Sequence, residues 1–299
     1  GFDTVAACVL ALVLVVLSVA ALAGEFALGG ARRTWRSGPG ARRAAPRVSL
    51  GRWSVPALAA LGALCALALG VPLGSLLYWM LRGSSTTLPS ASILGALGHT
   101  AELSAAAAAL ATVLAVPVTT LALRHRNRVT LLIERLAYLP MALPGLVVAL
   151  GLVSFSVRYA LALYQSSLEL IVAYAILFLP LAVVVMRSAL AQASPRFEEV
   201  GRSLGCSPVR AWWRITLPLI APGLRAAFAL VFISSATELT ATLLLRPTGV
   251  NTLATQFWAY TTDFSYGAAA PYAALMVAIS AVPAYLLSRR VAGLGGERP

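Results

Sequence analysis

Glu238 is the polar residue that first needs a chemical explanation. It stands in an apolar run beside Ser234, Ser235, Thr237, Thr240 and Thr242. An ionised carboxylate facing lipid is costly, so it is expected to face a bundle interior, a partner or a wet cavity. Helical spacing puts Ser234, Thr237 and Glu238 on one side, where they would line a path and favour a cation. The other reading is a carboxylate bonded to backbone amides where a helix breaks. Glu102 is a second pathway candidate. No residue pattern points to catalysis: no paired acid and base stand out, and no metalloprotease His/Glu spacing occurs. His99 and His125 read as surface or interface residues, and Cys8, Cys65 and Cys206 share no metal or redox spacing. We therefore expect no catalytic residues and no metal site.

A second stretch, at about residues 194–218, carries charge rather than apolar bulk. Its centre reads EEVGRSLGCSPVRAWWRITLP. Ser194-Pro195 is a helix start, with a capping hydroxyl followed by proline at the first helical position. Phe197, Val200 and Leu204 repeat on one helical face. Gly205 supplies a break and Ser207-Pro208 a second start. The spacing predicts two short helices joined at a glycine, a shape suited to being held and pushed. Phe197 and Leu204 would be apolar anchors, Glu199 would pair with Arg202 three residues on or meet a basic residue elsewhere in the loop, and Glu198 would serve solubility and capping.

These stretches are positioned by apolar spans. The chain has 299 residues, 60% hydrophobic and only 11% charged, with mean hydropathy +0.85. That excludes a soluble globular protein and predicts an all-α polytopic membrane protein. Spans are expected at about 2–23, 55–81, 97–123, 136–157, 168–186, 219–245 and 266–287. Pro72, Pro140, Pro144-Gly145 and Pro180 should bend or interrupt them. The polar segment 84–92 would leave the membrane between the second and third spans.

The net charge of +13 comes entirely from arginine, and the 23 arginines cluster between the apolar runs. Membrane topology explains that better than a nucleic-acid groove, so no nucleic-acid partner is expected. Four alternate segments hold 7, 4, 6 and 3 arginines against 3 on the opposite side. The positive-inside pattern then places the first residue outside and the C-terminus in the cytoplasm. Gly24 to Arg52 is a basic, glycine- and proline-diluted linker. The expected organisation is a transmembrane helix at 1–23, a cytoplasmic linker at 24–52, a six-helix domain at 53–290 and a cytoplasmic tail at 291–299. An outside start without methionine leads us to expect that the first run is the last helix of a larger unit.

The spacing Glu199-Val200-Gly201, three residues, Gly205, nine residues, Ile215, one residue, Leu217-Pro218 resembles the EAA loop of permease subunits in binding-protein-dependent ABC importers. Glu199, Gly205, Ile215, Leu217 and Pro218 match, while Val200 and Gly201 stand where the motif has alanines. The resemblance implies a loop that docks on a cytoplasmic ATPase dimer, with Phe197, Glu199, Arg202, Leu204, Gly205, Pro208, Ile215, Leu217 and Pro218 forming the joint. It also implies an extracytoplasmic solute-binding protein and a second permease half or subunit in the lipid bilayer. The segments from Glu238 to Pro247, Thr252 to Thr255 and Ala269 to Tyr272, with Trp258, are similar to permeases of the ferric-iron type, which, like their thiamine relatives, are often fusions of two six-helix halves; the resemblance implies the second half of such a fusion, importing ferric iron or else thiamine or another small solute. There is no phosphate-binding Gly-x-x-x-x-Gly-Lys motif and no lysine at all. ATP and magnesium would therefore sit on the partner, and this chain would bind no cofactor of its own. A secondary transporter or channel could also carry an intramembrane carboxylate and kinked helices, but would not need the loop spacing.

Overall fold

The computed structural model describes residues 51–83, 91–125 and 127–295, with the last six as backbone only, and positions 9, 12, 13, 16, 17 and 20. The helix expected at 1–23, nearly all of the basic linker and the tail beyond 295 lie outside the described residues. So does 84–90 of the expected polar exit segment; Ala91 and Ser92, also assigned to it, open a helix instead.

Everything regular among the described residues is helical. Five helices are long and apolar enough to cross a membrane, and a sixth span is a bent pair. The first, α1 (Gly51–Arg82), packs along α10, where Trp79 meets Tyr266 with ring centroids 5.2 Å apart. It widens to a π-turn at Ala66–Gly70, just before Pro72. Proline lacks an amide hydrogen and its ring crowds the preceding turn, and one wider turn absorbs both faults.

The core is built by α2 (Ala91–Arg124), α5 (Ser167–Gln192) and α7 (Pro208–Ala236). Ala107, Ala108, Ala111 and Ala115 form a fully buried stripe along α2. Small side chains let helices approach closely where lipid gives apolar side chains no reason to leave it. Val183, Met186, Ile220 and Val231 fill the space opposite that stripe. Pro180 lies inside α5, which is nevertheless continuous.

The span expected at 136–157 is not one helix. An Asn127/Thr130 capping box starts α3 (Arg128–Tyr138), a 3-10 turn covers Leu139–Ala142, and α4 (Gly145–Tyr159) leaves at 109°. Pro140 and Pro144 prevent continuous amide hydrogen bonding there, so the chain turns instead of kinking. Arg187 of α5 pairs with buried Glu134 of α3, which holds the turned-out helix against the core.

Short α6 (Pro195–Ser203) precedes α7. The expected second short helix is absent as a separate element. From Pro208 the chain runs through a π-turn at Trp212–Thr216 straight into the membrane span, and the wider turn accommodates Pro218. The span expected at 219–245 then breaks at Thr237–Leu239 and resumes as α8 (Thr240–Leu245). α9 (Leu253–Thr262) packs on α10 (Tyr266–Gly295), which continues past the expected boundary at Arg290.

Candidate functional site

Two helix breaks gather the functional candidates. The first lies between α6 and α7. Ser194 accepts a hydrogen bond from the Arg196 amide, Ser207 accepts one from the Arg210 amide, and a proline follows each cap. At the end of α6 the Cys206 amide donates to the Gly201 carbonyl and the Gly205 amide to the Arg202 carbonyl, both at 3.0 Å. This double closure requires a left-handed residue, and Gly205 has φ +89°. Gly201 is explained by packing: a Cβ there would sit 2.5 Å from Ile215 Cδ1. An alanine in the motif's usual place would force the Ile215 side chain to move.

The outer side of this hairpin is apolar and exposed. Phe197, Val200, Leu204, Val209 and Trp213 all face outward, Leu204 at 80% exposure. Arg202, Pro208 and Pro218 are also exposed, while Ile215 and Leu217 are half-buried and tie the hairpin to the bundle. Glu199 is exposed and forms no ion pair among the described residues, so the expected Glu199–Arg202 pair is absent.

Glu198 makes the tie instead. Arg124 at the end of α2 donates to Glu198 Oε2 at 2.7 Å, and the Thr216 hydroxyl donates to Oε1. One carboxylate therefore joins α2, α6 and the base of α7. Burial pushes its carboxyl up, but the Thr216 and Arg124 hydrogen bonds and the Arg124 and Arg202 charges prevail and hold it below the usual carboxylate range. Sequence reading assigned Glu198 only solubility and capping. Its signal was faint, because the arginine that answers it is 74 positions away.

The second break lies within the bundle. With α7 ending at Ala236, Thr237 and Glu238 leave the helical face they were expected to share with Ser234. Glu238 Oε1 accepts hydrogen bonds from the Thr240 hydroxyl at 2.6 Å and the Ala241 amide at 3.1 Å. The carboxylate therefore caps α8. Its other oxygen has no hydrogen-bond partner among the described residues, and Glu238 is only half-buried. Thr237 is exposed and Ser234 half-buried beside it, whereas Glu102 is exposed on α2.

Gly145, the first residue of α4, meets this break directly. A Cβ at Gly145 would lie 2.7 Å from Thr240 Oγ1 and 3.2 Å from Glu238 Oε1. The break in one span is thus seated on the break in another. Thr242 secures the arrangement by donating to the Glu238 carbonyl at 2.6 Å and sharing a 2.5 Å hydrogen bond with buried Tyr174 of α5. Among the described residues no group of His, Cys, Asp and Glu could hold a metal ion. His99 approaches the Asn251 carbonyl at 3.2 Å.

Known proteins carry this architecture. The family described as the binding-protein-dependent transport system inner membrane component matches residues 111–293. The chain is 38% identical over 295 residues to the Fe(3+)-transport system permease protein FbpB 2 of Haemophilus influenzae, covering 97% of this chain. It spans 58% of that protein's length. It is 30% identical over 211 residues to the molybdenum transport system permease protein ModB of Mycobacterium bovis, covering 66% of this chain and 78% of that one. The fold also matches a chain in the crystal structure of a bacterial ABC transporter involved in the import of the acidic polysaccharide alginate. There the TM-score is 0.60 at 15% identity, over 80% of this chain and 97% of that one.

Proposed function

The chain belongs to the family of binding-protein-dependent transport system inner membrane components, and from that premise we propose that it is the permease of an ATP-driven importer for ferric iron. The hairpin at Gly205 carries the proposal. Its outer side offers Phe197, Leu204 and unpaired Glu199 to an ATPase. Its inner side is fastened to α2 and α7 through Glu198. A surface that is apolar outward and ionically anchored inward can receive a push and pass it to the bundle. Phe197, Glu199, Arg202, Leu204 and Pro208 are its docking residues. Gly205 sets its angle, and Ile215, Leu217 and Pro218 join it to the membrane.

The partners in this reading are two ATPase subunits, an extracytoplasmic receptor and a second permease half, from the same polypeptide or another. ATP and magnesium would stay on the ATPases, and closure of those subunits would draw the hairpins together and tilt α2 and α7. The loop faces the cytoplasm of a bacterial inner membrane.

Ferric iron is favoured by the relative matched along nearly the whole chain and by the chemistry at the second break. The unpartnered Glu238 oxygen, with Thr237 and Ser234, offers hard oxygen ligands suited to brief passage of a cation. A molybdenum-type oxyanion would be repelled there, and Glu102 would be a minor contributor. The deciding experiment reconstitutes the chain with its second half, ATPase and receptor, then measures ATP-dependent uptake of ferric iron, thiamine and molybdate. Uptake of iron alone is the expected result. Uptake of another solute removes the iron assignment, and uptake without an ATPase removes the importer reading.

A further inference from the structure

We propose that the groove between α2, α7 and α10 binds one anionic phospholipid, its phosphate on Arg225. The lipid would come from the leaflet on the side of the Gly205 hairpin, whichever solute is carried.

The groove encloses about 860 Å³, and its walls include Val113, Phe228, Phe232, Ile279 and Val282. That is within the roughly 300–1,000 Å³ typical of ligand pockets. Two polar residues interrupt an otherwise apolar lining. Arg225 stands exposed on an apolar membrane helix, with no hydrogen bond or ion pair among the described residues. A guanidinium in such a helix is costly unless an anion answers it, and basic pockets between membrane helices suit lipid headgroups. Thr112, the other polar lining residue, keeps its hydroxyl buried out of reach of the groove.

At about 1.5 Å per residue, Arg225 lies about 14 Å along α7 from Thr216, whose hydroxyl joins the hairpin tie. Phe232 and Ile279 continue the groove beyond it. A packed apolar helix would fill the groove but leave the guanidinium unanswered.

The test uses the full chain in vesicles of phosphatidylglycerol and phosphatidylcholine, solubilised and weighed by native mass spectrometry. Wild type should retain one phosphatidylglycerol in preference to phosphatidylcholine. Arg225→Gln should lose that preference at least fivefold, while Arg225→Lys keeps most of it. Arg210→Gln, a charge removed outside the groove, should change nothing. Arg225 is exposed, so the glutamine variant should fold, and its thermal unfolding checks this. Independently, a photo-crosslinking residue at Ala229 in the otherwise native chain should yield a lipid adduct. Equal phosphatidylglycerol retention by wild type and Arg225→Gln overturns the proposal. So does an adduct to another segment of this chain, a second copy or a partner helix.

Discussion

Glu198 and Glu238 each brace a region where a helix breaks and a glycine is required, yet the two breaks are finished differently. Glu198 has both oxygens engaged, one by Arg124 and one by Thr216, and its glycine, Gly205, is set by a positive φ with nothing near its Cβ position. Glu238 has one oxygen engaged by Thr240 and Ala241, and its glycine, Gly145, is set by close approach. A carboxylate held on both oxygens ties three elements together, a geometry suited to passing on displacement. A carboxylate fastened on one oxygen holds the break and keeps an acceptor for something passing. On the function proposed above, the comparison separates a mechanical joint from a pathway residue of the same type.

The largest expected effect comes from removing the joint's angle. Gly205→Pro cannot reach φ +89° and loses the amide that bonds the Arg202 carbonyl. Local strain of about 1–3 kcal/mol would cut coupling roughly 5- to 150-fold. Uptake should fall while ATPase copurification and bundle assembly persist, and normal receptor-stimulated turnover with normal uptake would show that the hairpin is no joint.

Next in size is the Glu198 tie. Glu198→Gln and Arg124→Gln should each lower uptake per ATP severalfold, matching a coupling of about 0.5–3 kcal/mol. The exchange of Arg124→Glu with Glu198→Arg should restore part of it. Glu199→Gln should leave the hairpin's own stability unchanged and weaken ATPase copurification instead. If Glu199→Gln and Glu198→Gln behave alike in both measurements, the division of labour between them is wrong.

The glycines sharpen the contrast further. Gly145→Ala drives a methyl into Thr240 and should cost about 1–3 kcal/mol in thermal unfolding. Gly205→Ala meets open space and should cost only about 1 kcal/mol, from backbone strain. Equal costs would mean that the seating of one break on the other has been misread.

A smaller stability effect is expected at Glu238. Glutamine keeps the Oε1 acceptor for Thr240 and Ala241, so Glu238→Gln should fold normally yet carry iron more slowly. Alanine loses the cap and should cost about 1 kcal/mol. Unchanged iron uptake by the glutamine variant at equal protein level would leave Glu238 a structural cap alone.

The smallest effect is in pH. The Glu198 carboxyl titrates below its ordinary value in the folded protein, so its stabilisation is complete above the usual carboxylate range and is lost as pH falls through the lowered value. A spin label at Ser203 should be immobile at neutral pH and loosen only in that acid range. With Glu198→Gln the acid transition should disappear.

What the sequence determined is local or compositional. Apolar length set the membrane spans, because about twenty residues of helix must cross the hydrocarbon whatever they pack against. Ser194-Pro195, Ser207-Pro208 and Gly205 set the hairpin, because each acts on amides or carbonyls a few positions away. Even the prolines that break the spans were visible, although the 109° turn was not. That angle depends on which surfaces α3 and α4 find, and Glu134 finds Arg187 on another helix. The choice of Glu198 over Glu199 was likewise tertiary, since two adjacent glutamates differ only in direction and only one points at Arg124 and Thr216. Gly145 and Glu238 are 93 positions apart, and no periodicity links them. They meet because α8 packs against α4, and only a residue without a side chain at 145 lets Thr240 and Glu238 come that close.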